Sequence, residues 1–157
     1  MKTIKKDDYE FLVDIEKTIK HYDTKLICNY SSCLNFSSQI KESLPELNSF
    51  LCDFGVDVTK PDEITWWTIE DKIDYTTKYT VTGKIKIMGQ FEIDIGLLNI
   101  VINSSYVSNE HDDPYFSITV YNVHLPWIQL EPFPYIPLKE SIFIKLMKSF
   151  KKIMKQE

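Results

Sequence analysis

The pattern that most limits this chain begins at Ile73. Ile73, Tyr75, Thr77, Tyr79 and Val81 alternate with Asp74, Thr76, Lys78 and Thr80; beyond Gly83, the series Ile85, Ile87, Gly89, Phe91, Ile93 and Ile95 alternates with Lys84, Lys86, Met88, Gln90, Glu92 and Asp94. Successive side chains of an extended backbone point to opposite sides, so a period of two gives each strand one dry face and one wet face. Strands of a parallel sheet, covered on both faces, read as continuous apolar runs, so this alternation belongs to an antiparallel sheet with a single covered face. Gly83 reads as a hairpin turn, and Gly89 as a bulge or bend in a long strand. Ile64 to Ile69, Leu98 to Val107 and Tyr115 to Leu125 supply further strands, for an expected meander of about five.

A sheet with one dry face needs helices to cover it. Residues 8 to 21 set Phe11, Leu12, Ile15 and Ile19 against Glu10, Asp14, Lys17 and His21, the spacing of an amphipathic first helix. TKLICNY, residues 24 to 30, reads as a short strand, and SSCLNFSS after it as a loop of turn formers. Ile40, Leu44, Leu47, Leu51 and Phe54 recur at helical spacing. Pro45 is tolerable in a first turn there, Ser43 and Glu46 fit a capping box, and Gly55 is a natural stop. Between Pro126 and Pro137 lie four of the seven prolines, which excludes helix and central strand and leaves a packed, extended connector. The last segment sets Ile142, Phe143, Leu146, Met147, Phe150, Ile153 and Met154 against Lys145, Lys148, Lys151, Lys152 and Lys155, and its apolar stripe matches the dry face of the sheet. The expected fold is therefore α+β: two N-terminal helices, an antiparallel meander of about five strands, and a C-terminal amphipathic helix packed on the sheet. Residues 1–157 make a single globular domain, since a chain of this size buries roughly 70% of its unfolded surface without staples.

All 18 basic residues are lysine, and arginine is absent. Arginine supplies the planar fork that grips carboxylate and phosphate in two places, so its lack argues against nucleotide clamps, arginine fingers and bidentate guanine readout. Net charge is −5 and uneven: residues 42 to 74 hold nine acids and two lysines, while residues 139 to 157 hold six lysines and two acids. The acidic stretch repels nucleic acid and suits a basic partner surface. Cys28, Cys33 and Cys52 are an odd number with no export signal ahead of them, which reads as reduced thiols in a cytoplasmic protein. The longest apolar run, Leu97 to Ile102, is broken by Asn99 and falls far short of the roughly 20 residues a spanning helix needs.

No cofactor or metal set stands out. Asn109 to Asp113 gathers His111 with carboxylates, but neighbours in one loop seldom converge, and Asp-Asp-Pro is turn chemistry. The three cysteines with His21 lack the short-spaced knuckle of a zinc site. His124, at a strand end, lacks any legible nucleophile or orienting acid, and no nucleophile elbow, phosphate loop or zinc-protease motif occurs. Pro134-Tyr-Ile-Pro137 matches a P-x-x-P string but sits in a hydrophobic segment better suited to packing. The lysine face of the last segment complements a helix C-terminus more simply than it serves a polyanion. Trp66 and Trp67 are adjacent on a strand and must face opposite ways, so one is left to the outside beside Asp62, Glu63, Glu70 and Asp71.

These features lead to a small acidic protein-binding module of the inhibitor, immunity or antagonist type, with no catalysis of its own. Asp62, Glu63, Trp66, Trp67, Glu70 and Asp71 form its expected contact surface for a basic protein partner. The alternative is a binder of a small apolar ligand held between a curved sheet and the C-terminal helix, with Tyr75, Tyr79, Phe91 and Phe143 as its lining. Neither direct nucleic-acid binding nor a membrane span is expected, and exposed strand edges leave pairing into a homo-oligomer open.

Overall fold

A computed structural model describes residues 1–87, 89–104 and 113–134. Along the chain these form β1 (Lys2–Lys6), β2 (Tyr9–Val13), α1 (Ile15–Asp23), α2 (Ser31–Ser43) and α3 (Pro45–Cys52), then β3 (Glu63–Ile69), β4 (Lys72–Ile85), β5 (Gln90–Ile95), β6 (Leu98–Ser104) and β7 (Tyr115–Pro126). The strands make one seven-stranded antiparallel sheet in the order β1-β2-β4-β7-β6-β5, with β3 also on β4. β4 is its spine. One edge carries β7, while the other carries β3 along Lys72 to Lys78 and β2 at Gly83 to Ile85, set end to end.

The alternation read from Ile73 onward appears directly in burial. Ile73, Tyr75, Tyr79 and Val81 of β4 are fully buried, as are Phe116, Ile118, Val120 and Val123 of β7 and Ile100 and Ile102 of β6. Phe36, Ile40, Leu47, Leu51 and Phe54 from the helical segment join them in one core. Phe36 meets Tyr75 edge-on with ring centres 5.2 Å apart, and Phe54 lies 5.4 Å from Phe11 and 6.1 Å from Phe116. Buried phenols need polar partners, and both have them: Tyr75 donates to Ser32 O at 2.9 Å, and Tyr79 to Val58 O at 2.8 Å.

Several expectations are corrected here. The described sheet has seven strands rather than about five, because the chain opens with a hairpin. Phe11 and Val13 belong to β2, and Ile4 of β1 pairs with Phe11 across the Asp7-Asp8 turn, where Asp7 takes φ +51°. Over so short a window Tyr9, Phe11 and Val13 satisfy a period of two as well as a helical one, and a second strand within reach decides between them. The first helix starts only at Ile15, where Asp14 accepts from Lys17 N at 3.1 Å as N-cap. It buries Thr18 and Tyr22 and leaves Ile19 44% exposed.

The second helix is two. Residues 24–30 contain no strand, and SSCLNFSS forms the first turns of α2, where Ser32, Cys33, Asn35, Phe36 and Gln39 are buried. Their helical spacing is hidden because so many are polar. Asn35 donates to Tyr75 Oη at 3.0 Å and to Pro126 O at 3.1 Å, accepts from Ile128 N at 2.8 Å, and thereby ties helix to sheet. Pro45 cannot donate to the preceding turn, so α2 ends and α3 begins with Pro45 at its first position. Gly55 follows α3 at φ +80°.

Gly83 is no hairpin turn: β4 runs through it, and a Cβ there would lie 2.3 Å from Leu12 O. The glycine permits β2 to approach. The turn before β5 falls around Gly89 instead. The expected C-terminal helix lies outside the described residues. The dry face is covered by α1, α2 and α3, which precede most of the sheet in sequence.

Candidate functional site

β3 is joined to β4 by a tight turn in which Ile69 pairs with Lys72 and Glu70 takes φ +53°. Trp66 lies opposite Tyr75 and packs half-buried against the core, whereas Trp67 lies opposite Asp74 on the other face and is 43% exposed. Ile69, two residues along the same face, is 42% exposed. Glu70 and Asp71 are exposed at the turn, and Glu63, also exposed, pairs with Lys78 at 3.2 Å. Trp67, Ile69, Glu63, Glu70 and Asp71 thus share one solvent-facing margin of the sheet.

Asp62 is turned inward. His21 Nε2 lies 2.9 Å and Lys25 Nζ 2.5 Å from its Oδ1; Tyr22 Oη donates to its Oδ2 at 3.1 Å, and Thr80 N at 2.8 Å. Tyr22 is 1% exposed, and its hydroxyl, whose single proton is shared between Asp62 Oδ2 and Thr80 O at 2.9 Å, accepts from Thr80 N at 2.9 Å. Burial alone pushes the Asp62 carboxyl up, but the donors of Lys25 and His21 more than offset this and hold it below the ordinary carboxylate range. Asp62 therefore clasps α1 to β4, and its charge is already answered within the chain.

On the same outer face Asp74 stands opposite His124 of β7, which completes a cross-strand row of Trp67, Asp74 and His124. Asp74 is 4% exposed, and among the described residues its Oδ1 has no hydrogen-bond partner; His124 Nε2 lies 3.4 Å away. Burial raises the Asp74 carboxyl above its ordinary value, and the His124 imidazole only partly counters that. The acid that could orient His124 thus exists, but β4 supplies it from fifty residues away, at a position whose alternation marks it as wet. No signal in the sequence reports its burial.

Next to His124 the sheet steps. Tyr75 pairs with Val123 but Thr77 with Val120, so β7 carries one extra residue, and Asn122 takes φ +64° in the resulting bulge. The β6–β7 ladder stops at Asn99 opposite Tyr121. A cavity of about 370 Å³ lies in the step, walled by the α2–α3 joint (Ser43–Leu47), the β5–β6 turn (Ile95–Leu98), Asn122 and His124.

The other residues singled out from sequence are dispersed. Tyr75 and Tyr79 are 0% exposed within the core, each phenol bonded to a backbone carbonyl; Phe91 lies on β5, half-buried, with its ring 4.5 Å from Tyr9; Phe143 is outside the described residues. His111 and Asp112 also lie outside them, while Asp113 pairs with Lys17 at 2.9 Å. Cys33 is buried, and Cys28 and Cys52 are exposed. Burial, with the Cys28 thiol beside it, pushes Cys33 up to about 12. Trp127 and Phe133 meet edge-on at 6.4 Å and pack against the core, as the proline connector requires. Among the described residues no group of histidine, cysteine and carboxylate side chains is arranged to hold a metal, and no helix is long and apolar enough to cross a membrane.

No family model, curated protein or solved structure matches the chain.

Proposed function

We propose that this chain is a small acidic protein-binding module of the inhibitor, immunity or antagonist type, with no catalysis of its own, and that it meets its partner through the outer face at β3. The observation that carries this reading is the grouping of large apolar side chains on an otherwise polar face. Trp67 is 43%, Ile69 42% and Tyr121 40% exposed, and Trp67 and Tyr121 stand on strands flanking β4, on the order of 10 Å apart by interstrand spacing. Their neighbours Thr65, Thr76 and Thr119 are short, so the rings stand proud. Exposed aromatic anchors within a polar rim are what partner contacts are built from. Glu63, Glu70 and Asp71 set the sign of the rim and favour a basic surface. Asp62 takes no part in that contact, because its donors are internal.

The test is copurification of the tagged chain from its native context at low and moderate salt, followed by binding measurements with Trp67→Ala and with Glu70→Lys combined with Asp71→Lys. Loss of an anchor worth about 2 kcal/mol weakens binding roughly 30-fold. The charge reversal is expected to slow association and to lose its effect at high salt. Equal retention of a stoichiometric partner by both variants would refute this surface.

A further inference from the structure

From the step beside His124 we infer a second binding site, a cleft that takes a short extended peptide segment of another protein by strand addition to β7. It does not depend on the Trp67 face. Both observations it needs are local. First, the bulge at Asn122 and the end of the β6 ladder at Tyr121 leave Val123–Leu125 paired with strand β4 on one side and, among the described residues, with no strand on the other. In an antiparallel strand alternate residues aim both N–H and C=O to the same side, so this stretch presents donor and acceptor together toward the cavity. A small apolar molecule cannot answer both, but a peptide backbone does. Second, the space beside that edge is a cavity of about 370 Å³ with apolar walls from Leu44, Leu47, Ile95 and Leu98. That is near the lower end of the roughly 300–1,000 Å³ found for small-ligand pockets, enough for one large apolar side chain and its flanking backbone.

The length of the opening selects the occupant. Beyond Leu125 the edge is closed, because Pro126 O already accepts from Asn35 Nδ2 at 3.1 Å and Gln39 Nε2 at 3.0 Å. At the other end Asn99 fills the ladder position opposite Tyr121. The four residues from Asn122 to Leu125 span on the order of 13 Å, too little for the long strand of a folded sheet edge and enough for a short free segment. His124, with a side chain 47% exposed and its Nε2 turned to Asp74, leaves Nδ1 as a further polar group at the rim.

The experiment is a titration of the full-length, nitrogen-15-labelled chain with blocked tetrapeptides, acetyl-Ser-Xaa-Ser-Thr-amide, where Xaa is Leu, Met or Phe. Amide shifts confined to Asn122–Leu125, Ile95–Leu98 and Ser43–Leu47 are expected for at least one of them. A version N-methylated at its backbone should bind at least tenfold more weakly, and Ser43→Trp, which fills the cavity from an exposed position, should abolish the shifts without lowering Tm. The inference is overturned if none of the three peptides shifts those amides. It is equally overturned if the N-methylated peptide, or butylbenzene as a purely apolar probe, produces the same shifts with the same affinity. The Trp67→Ala variant should bind the peptides as the parent does, so the two sites fail or stand separately.

Discussion

Replacement of Asp62 by alanine measures the clasp between α1 and β4. The carboxylate takes four donors, from His21, Lys25, Tyr22 and the Thr80 backbone, and its side chain is 21% exposed. Not all of that is lost on truncation. Thr80 N keeps the Tyr22 hydroxyl at 2.9 Å, and His21, with a side chain 35% exposed, turns to water. What goes is a charge-assisted bond from a backbone N–H, worth about 1.5–3 kcal/mol, together with the pairing of the half-buried Lys25 ammonium. About 3 kcal/mol is expected in all, or roughly 6–12 °C in Tm for a chain of this size. Asp62→Asn, which preserves an acceptor for Thr80 N but removes the charge, should cost about half as much. The sign with pH follows from the lowered carboxyl. A folded value below the unfolded one stabilises the native state above the unfolded pKa of about 3.9 and is lost as pH falls through the folded value. Urea titration at pH 7 and at pH 3 is the assay, and the gap between parent and Asp62→Ala should narrow at the lower pH. A loss below about 0.5 kcal/mol at pH 7, or a gap that does not change with pH, would show that the clasp contributes little.

Three further outcomes follow from the same geometry. Asp74 has the opposite sign: its folded value is raised, so its ionised form costs stability at neutral pH, and that cost fades as pH falls toward the unfolded value. Asp74→Asn should therefore stabilise the chain by about 1 kcal/mol at pH 7 in thermal or urea unfolding and be neutral near pH 3; a destabilised variant at pH 7 would contradict this. Gly83→Ala forces a Cβ to within 2.3 Å of Leu12 O, so β2 must part from β4 or the backbone must shift, at a cost of about 3 kcal/mol or more and with faster amide exchange along β1 and β2. Iodoacetamide at pH 8 should modify Cys28 and Cys52 in the native chain and reach Cys33 only on unfolding, since the Cys33 thiol is buried and pushed up to about 12; mass-resolved peptide mapping reads this out.

The strand pattern was legible where it ran long. Nine or more residues of alternation from Ile73 have no helical reading, and their dry face is the buried face of β4. Where a window was short, period alone misled. Tyr9 to Val13 fits either element, and Ile4 and the edge of β4 at Gly83–Ile85 decided for a strand. The start of α2 was hidden for a different reason: Asn35 and Gln39 face inward because their amides donate to Tyr75 Oη and Pro126 O, and the Ser32 backbone carbonyl accepts from the phenol, which no hydropathy pattern encodes.

The candidate sites divide along the same line. That Trp66 and Trp67 face opposite ways follows from strand geometry alone, and the clustering of Glu63, Glu70 and Asp71 around them is written in the chain. Asp62 belonged to that acidic cluster by position, and only the fold could turn it inward, since its donors come from α1 and β4. The pairing of Asp74 with His124, and the step that opens the edge of β7 beside the α2–α3 joint, depend on register across strands far apart in sequence. Local alternation and turn chemistry act within a few residues, so the sequence by itself determined an antiparallel sheet with one dry face and an exposed tryptophan. Register, edge and cavity are relations between distant segments, and their energies exist only once those segments are in contact, so the tertiary structure alone decided them.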